Sequence, residues 1–187
     1  MRRQIEITYL EMTSPEELRP AHRIDVDFPI RQARVPCPEL NRFLYTAVGG
    51  DWFWIDRLSW TYDRWLAWLS RSEVETWIGY LEETPAGYFE LEKQTGGNVE
   101  LSYFGLLPQF IGRGLGGVLL TRAIERAWEI GASRVWVNTC DLDGPASLAN
   151  YQARGFRIFR TEKLEKDFPE ETPGPWPGAR PHHSGVS

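Results

Sequence analysis

The chain changes its hydrophobic period twice, and those changes predict its elements. Residues 5–10 (IEITYL) alternate in part and are rich in β-branched and aromatic side chains, which predicts a first strand. Thr13-Ser14-Pro15-Glu16-Glu17 supplies a cap residue, an early proline and early acids, a helix start that Pro20 cuts short. Residues 21–36 show no period and predict irregular chain. Residues 39–48 predict a helix ended by Gly49-Gly50. In residues 59–69, Ser59 can cap, and Tyr62, Trp65, Leu66 and Leu69 fall on one helical face. Alternation returns over residues 73–82 and 87–93, predicting two strands joined by a turn at Thr84-Pro85. Thr95-Gly96-Gly97-Asn98 predicts a hairpin turn into a third strand over 99–107, apolar enough to be central. A glycine-dense stretch, 112–117, then opens a long amphipathic helix whose buried stripe is Leu120, Ala123, Ile124 and Ala127, ended by Gly131. Arg134–Cys140 predicts a buried strand, 145–154 a short helix closed by Gly155, and 156–163 a last strand.

The order is strand, helices, antiparallel strands, helix, strand, helix, strand. It predicts an α+β (mixed α/β) class around a single sheet, with one parallel crossover between residues 99 and 140. One domain over residues 1–166 is expected. From residue 167 the chain is dense in proline and glycine without periodicity, and a flexible tail over 167–187 is expected.

Composition narrows the function classes. At 187 residues, 42% hydrophobic and 25% charged, the chain is of one-domain size and globular in character. A net charge of −5 without a basic run argues against nucleic-acid binding. Cys37 and Cys140 read as reduced thiols, and the three histidines (His22, His182, His183) offer neither a Cys–His pair nor a metal set. No signal peptide and no membrane-spanning run is apparent, so a cytoplasmic protein is expected. The anomaly is nine tryptophans, five of them between Trp52 and Trp68. Aromatic rings beside Asp51, Asp56 and Asp63 suit either a core or a small cationic ligand.

The most informative segment is PQFIGRGLGG, residues 108–117. Glycines let backbone N–H groups approach a ligand, and the helix that follows adds its positive dipole end, a site suited to phosphate. A P-loop requires a lysine after the glycines, and none follows. Gly112-Arg113-Gly114-Leu115-Gly116-Gly117 fits the dinucleotide pattern GxGxxG, but it lies too late in the chain to open a doubly wound domain. The stretch from Leu106 to Gly116 instead resembles the acetyl-CoA loop of the GNAT superfamily of N-acetyltransferases. A second family landmark follows: Asn150-Tyr151-Gln152-Ala153-Arg154-Gly155-Phe156 resembles its Tyr-x-x-x-Gly-Phe helix end. Ile111 stands where the family usually has Arg or Gln, with Arg113 as a substitute charge.

The resemblance implies a GNAT-like fold, a twisted mixed sheet, largely antiparallel, with a parallel splayed central pair. It implies acetyl transfer from acetyl-CoA, as acyl-donor co-substrate, to a primary amine of a small molecule or amino terminus, by direct attack. It places Leu106, Leu107, Ile111, Gly112, Arg113, Gly114, Leu115, Gly116, Gly117 and Asn138 at the CoA. The backbone N–H of Leu106 would polarise the thioester. Glu100 becomes the candidate general base, with Glu90 and Glu92 in reserve, and Tyr151 the candidate general acid. Trp52, Trp54 and Asp56 are assigned to the acceptor. The expected partner is that amine, with no nucleic acid and no membrane; a homodimer is compatible. The alternatives are a catalytically silent acyl-CoA-binding module and a dinucleotide-binding oxidoreductase.

Overall fold

A computed structural model describes residues 1–21 and 25–179; His22, His182 and His183, and the expected tail from 180 on, lie outside them. The elements are β1 (Arg2–Met12), β2 (Ile30–Ala33), α1 (Pro38–Gly49), α2 (Tyr62–Leu69), β3 (Val74–Leu81), β4 (Thr84–Lys93), β5 (Asn98–Leu106), α3 (Leu115–Glu129), β6 (Arg134–Cys140), α4 (Ser147–Ala153) and β7 (Arg157–Asp167). The seven strands form one sheet in the order β2-β3-β4-β5-β6-β1-β7. Among the described residues, only β5 and β6 pair in parallel. This is a GNAT-like mixed α/β sheet, and it lacks the doubly wound parallel core that the dinucleotide alternative requires. No helix among the described residues is long and apolar enough to cross a membrane.

Each face of the sheet carries helices because each face is apolar. The stripe of α3, Leu119, Leu120, Ala123, Ile124 and Ala127, packs with Phe89, Leu91, Val99, Leu101, Val135 and Val137. On a second cluster, Leu44 and Val48 of α1 pack with Ile78 and Tyr88.

Four local expectations change. The segment read as irregular contains β2, a four-residue edge strand (IRQA) too short and too polar to show a period. The β3–β4 turn falls on Glu82-Glu83, both left-handed (φ 48° and 61°), and not on Thr84-Pro85. Two glutamates in that conformation give none of the Asn-Gly signal such turns usually carry. Pro85 joins the strand opposite Tyr80, beside a register shift between Gly79 and Tyr80 that accommodates its missing N–H. The helix expected after Ser14 shrinks to one turn, Pro15–Glu17, closed by a capping box between Ser14 and Glu17. α2 is capped by Thr61, whose hydroxyl accepts from Arg64 N at 3.3 Å, and of its predicted face only Trp65 is fully buried.

The last strand also runs on to Asp167, pairing with Arg2. Phe168 is buried with its ring edge-on to Phe53 at 5.6 Å, and Gly174 N donates to Gly50 O at 3.0 Å. Residues just past 167 therefore lie against the loop that follows α1.

Candidate active site

The β5–β6 ladder is short. It pairs Asn98 with Arg134, Val99 with Val135 and Glu100 with Trp136, then stops. The cause lies on the other edge of β5. Glu92 pairs with Glu100 and Leu91 with Leu101, but Glu90 pairs with Tyr103, leaving Ser102 as an extra residue. A bulge bends and twists its strand, so β5 diverges from β6 beyond Glu100. Leu107 N donates to Ala86 O of β4 at 2.8 Å. Successive N–H groups of an extended chain point to opposite edges, so the Leu106 N–H faces the opening.

A cavity of about 1010 Å³ fills this opening. At one end it reaches Gly112, Gly114, Gly116 and Gly117, where α3 begins. Gly112 (φ 84°) and Gly114 (φ 78°) are left-handed, and a Cβ at Gly112 would meet nothing within 4 Å. Glycine is required there by conformation, and the loop presents open backbone to the cavity. Ile111, Leu106 and Asn138 also line it. Three expected contacts do not: Leu115 is fully buried in a cluster with Ala86 and Phe110, Leu107 packs against that cluster, and the Arg113 guanidinium lies 5.8 Å from the Phe110 ring. Arg154 stands close to this turn, since a Cβ at Gly117 would lie 2.6 Å from its Nη1, but it does not line the cavity either and its Nε is shielded from solvent.

At the other end stand the carboxylates. Gln94 Nε2 donates to Glu100 Oε2 at 2.7 Å and to Glu92 Oε2 at 3.2 Å. Trp136 Nε1 donates to Gln94 Oε1 at 3.0 Å, which fixes the amide the right way round. Burial pushes the Glu100 carboxyl up to about 7; the Glu92 charge adds to the rise and the Gln94 amide opposes it. The reserve acids are already engaged. Glu92 pairs with Arg71 at 2.7 Å. Glu90, 1% exposed, takes both ends of the Arg57 guanidinium at 2.8 and 3.0 Å and the Trp68 indole N–H at 3.0 Å. Glu100 alone of the three has no basic partner among the described residues.

That buried pair explains much of the tryptophan cluster. The Arg57 guanidinium carbon lies 4.6 Å from the Trp60 ring, 4.7 Å from Trp68 and 4.4 Å from Tyr103. Burial works against its charge, but Glu90 outweighs burial and holds its pKa above the ordinary arginine value. The rings enclose a cation, as their composition suggested, but that cation belongs to the protein. Trp60 and Trp65 do not reach the cavity, whereas Trp52, Trp54, Trp68 and Asp56 line it. Trp52 lies 3.6 Å from where a Cβ of Gly144 would stand, and Asp56 pairs with Lys166 at 2.6 Å. The loop between α1 and α2 is thus tied both to the β6–α4 loop and to β7.

Tyr151 of α4 is buried, lines the cavity and packs its ring against Phe104 and Phe156, each at 6.0 Å. Burial, then the Asp143 charge, raises its phenol well above the usual value. Asp143 was missed by sequence reasoning. Its carboxylate accepts from Thr139 Oγ1 at 2.7 Å and Cys140 N at 2.8 Å. Burial raises its pKa, opposed by those donors and by Trp54. Burial and Asp143 push the Cys140 thiol up to about 11, which keeps it protonated at neutral pH and unsuited to nucleophilic catalysis. No cluster of three metal-ligating side chains occurs among the described residues.

Comparison with known proteins agrees with this geometry. The chain is similar to a GCN5-related N-acetyltransferase from Sphaerobacter thermophilus (16% identity, TM-score 0.66, 88% of this chain and 52% of that one). It is also similar to one from Kribbella flavida (17% identity, TM-score 0.62, 86% and 56%). A third is an acetyltransferase from Bacillus subtilis solved in complex with CoA (24% identity, TM-score 0.54, 72% and 79%). The chain spans about half the length of the first two. No curated protein matches its sequence. The sequence profile of the Acetyltransferase (GNAT) family, however, matches residues 39–156, which include the α1–α2 loop, Glu100, the glycine loop and Tyr151. The chain belongs to the GNAT acetyltransferase family.

Proposed function

We propose that this protein transfers an acetyl group from acetyl-CoA to a primary amine by direct attack. The observation that carries the proposal is the single cavity running from the glycine loop at the start of α3, through the β5–β6 opening, to Glu100, the carboxylate with no basic partner. The residues present fit CoA. Backbone at Gly112, Gly114, Gly116 and Gly117, at the start of α3, suits its pyrophosphate, and the opening suits its extended pantetheine arm.

Acetyl-CoA supplies the thioester carbon at which the C–N bond forms and the C–S bond breaks. Glu100 takes the proton of the arriving ammonium, which must be lost before nitrogen can attack. A pKa near 7 suits this task at neutral pH, because the group is then substantially ionised and still basic. The Leu106 N–H donates to the carbonyl oxygen as negative charge builds there. Tyr151, protonated at any physiological pH, donates to the departing sulfur. Released CoA thiol, counted against acetylated amine, tests the reading: the two should form one to one.

One observation favours a second reading. Ile111 is 53% exposed on the phosphate loop, where a charged or amide side chain would be expected. A silent acyl-CoA-binding module would bind acetyl-CoA without releasing thiol to any amine.

A further inference from the structure

Past Glu100, where the β5–β6 ladder stops, the sheet is two half-sheets, β2-β3-β4-β5 and β6-β1-β7. Tyr88 and Phe89 are successive residues of β4 and face opposite ways. Tyr88 packs with α1 and Phe89 with α3, so the two helices cover opposite faces. On the α3 face the helix stripe packs with both halves, with Phe89 and Leu101 on one side and Val137 and Leu10 on the other. On the opposite face α1 packs with Ile78 and Tyr88 of the first half. The loop that follows α1 crosses from there to the second half, where it meets the two ends of the chain.

Residues 166–175 grip that loop at three points. At its start, Gly174 N donates to Gly50 O at 3.0 Å, and a Cβ on Gly50 would stand 2.5 Å from the Gly174 carbonyl carbon. In its middle, the Phe53 ring lies edge-on to Phe168 at 5.6 Å, and the Arg3 guanidinium carbon lies 5.0 Å from its centre. Arg3 donates in turn to Glu170 O at 3.1 Å. At its end, Asp56 pairs with Lys166 at 2.6 Å, but both side chains are largely exposed and such a pair contributes little. The rings and the Gly50–Gly174 contact are the firmer grip. Phe53 itself is left-handed, at φ 58°. A bulky residue is strained there where glycine or asparagine is not, and such a conformation persists only where its surroundings hold it. Phe168 and Arg3 are those surroundings. Trp52 and Trp54, on either side of Phe53, line the cavity, as do Phe53, Asp56, Lys166 and Phe168. The Trp54 ring also fills the space that a Cβ on Gly49 would need. One wall of the cavity therefore hangs on a strained turn that the two ends of the chain hold in place.

We propose that residues 166–175, together with Arg3, are a positioning part of the active site: they brace the Gly50–Asp56 loop across the β5–β6 opening and so set the wall that meets the acceptor amine. That this wall meets the acceptor rests on the acetyltransferase reading; the brace rests on the contacts alone. None of those contacts involves the glycine loop at the start of α3, so the brace acts on the acceptor and leaves acetyl-CoA binding as it is.

The test uses the full chain and three variants. Phe168→Ala removes one ring of the grip. Phe53→Asn removes the other and keeps a residue that accepts the left-handed turn. Arg3→Met, at a half-buried position, removes the guanidinium with little risk to folding. The Trp52 and Trp54 N–H groups both donate to Gly49 O, at 2.9 and 3.3 Å, so hydrogen exchange there reports opening of the turn. In each variant, exchange in peptides covering residues 50–56 should speed at least about ten-fold, and exchange over 108–117 should stay as in the parent. The Phe168→Ala, Phe53→Asn double variant should exchange no faster than the faster single, because each ring acts through the other. The melting shift on adding acetyl-CoA should equal the parent's. Thiol release is then followed with hexylamine, 2-phenylethylamine, 1,4-diaminobutane and phenylalanine. For each amine turned over, KM should rise at least about three-fold, by a larger factor than kcat falls. Unchanged exchange over 50–56, equal acceleration over 108–117, a weakened acetyl-CoA shift or an unchanged KM would each overturn the proposal. A loosened loop with the acetyl-CoA shift kept and no thiol release from any amine sinks the transferase and leaves the brace. Thiol release by the parent with the same KM in all three variants sinks the brace and leaves the transferase.

Discussion

Glu92 faces Glu100 across the β4–β5 ladder, and the two share one Gln94 amide. Replacing Glu92 by glutamine removes a negative charge and keeps the shape. Two charges about 6 Å apart, as across a strand pair, interact by ~2.8 kcal/mol at an effective dielectric of 20. Solvent in the cavity screens roughly half of this, leaving ~1.4 kcal/mol, or about one pH unit. The sign is definite. Glu92 disfavours ionisation of Glu100, so its loss lowers the Glu100 pKa, from about 7 towards ~6. The base is active when ionised, so the acid limb of kcat at saturating amine should move down by about one unit. At pH 6 the ionised fraction rises about five-fold, and so should kcat; above pH 8 the variant and parent should converge. Gln94→Leu removes a donor to the charged form and should move the same limb up. Thiol release followed from pH 5 to 9 reads both shifts. An acid limb unmoved in both variants would refute the assignment of Glu100 as the base, and a Glu92→Gln enzyme inactive at every pH would make Glu92 the base instead.

Other consequences concern single substitutions. Tyr151→Phe keeps the ring against Phe104 and Phe156 and should lower kcat about ten- to a hundred-fold with the melting temperature nearly unchanged; full activity would leave Tyr151 a packing residue. Arg57→Met strands the buried Glu90 and should cost roughly 3–5 kcal/mol in denaturant unfolding, most of it recovered when Glu90→Gln is added. Glu100→Gln should raise the melting temperature at pH 8 and leave it nearly unchanged at pH 4. The folded-state pKa is raised, so the native state favours the protonated carboxyl, and the advantage of that form is lost as pH climbs towards 7. Gly114→Ala, at φ 78°, should weaken CoA binding in a melting-shift assay, because the left-handed turn that opens α3 is strained by a side chain.

Legibility in the sequence followed the range of the interaction. The glycine loop, the α3 stripe and Arg134–Cys140 are local patterns, and the structure contains them as expected. Glu100, Tyr151, Trp52, Trp54 and Asp56, picked out from separate segments, all line one cavity. What was illegible is non-local. Arg57 gives no sign in its own segment that Glu90 waits for it 33 residues on. Gln94 falls between the predicted strand and turn and carries no signal of its own until β4 and β5 bring two carboxylates to it. The bulge at Ser102 is a register event, visible only from the partner strand. Arg113 is the natural guess for a loop cation, yet its guanidinium lies toward the Phe110 ring and does not line the cavity. β2 was missed because an edge strand of IRQA needs no hydrophobic face of its own.

The account stands most directly on a matched pair of measurements with the parent chain and Glu100→Gln: the melting shift on adding acetyl-CoA, and thiol release on then adding each of a panel of primary amines at pH 8. It predicts equal melting shifts, because the glycine loop is untouched. It also predicts thiol release in the parent, one equivalent per acetylated amine, that falls about a hundred-fold or more in the variant. Equal thiol release by the two proteins, or a melting shift in the parent with no amine-dependent thiol release across the panel, would contradict it.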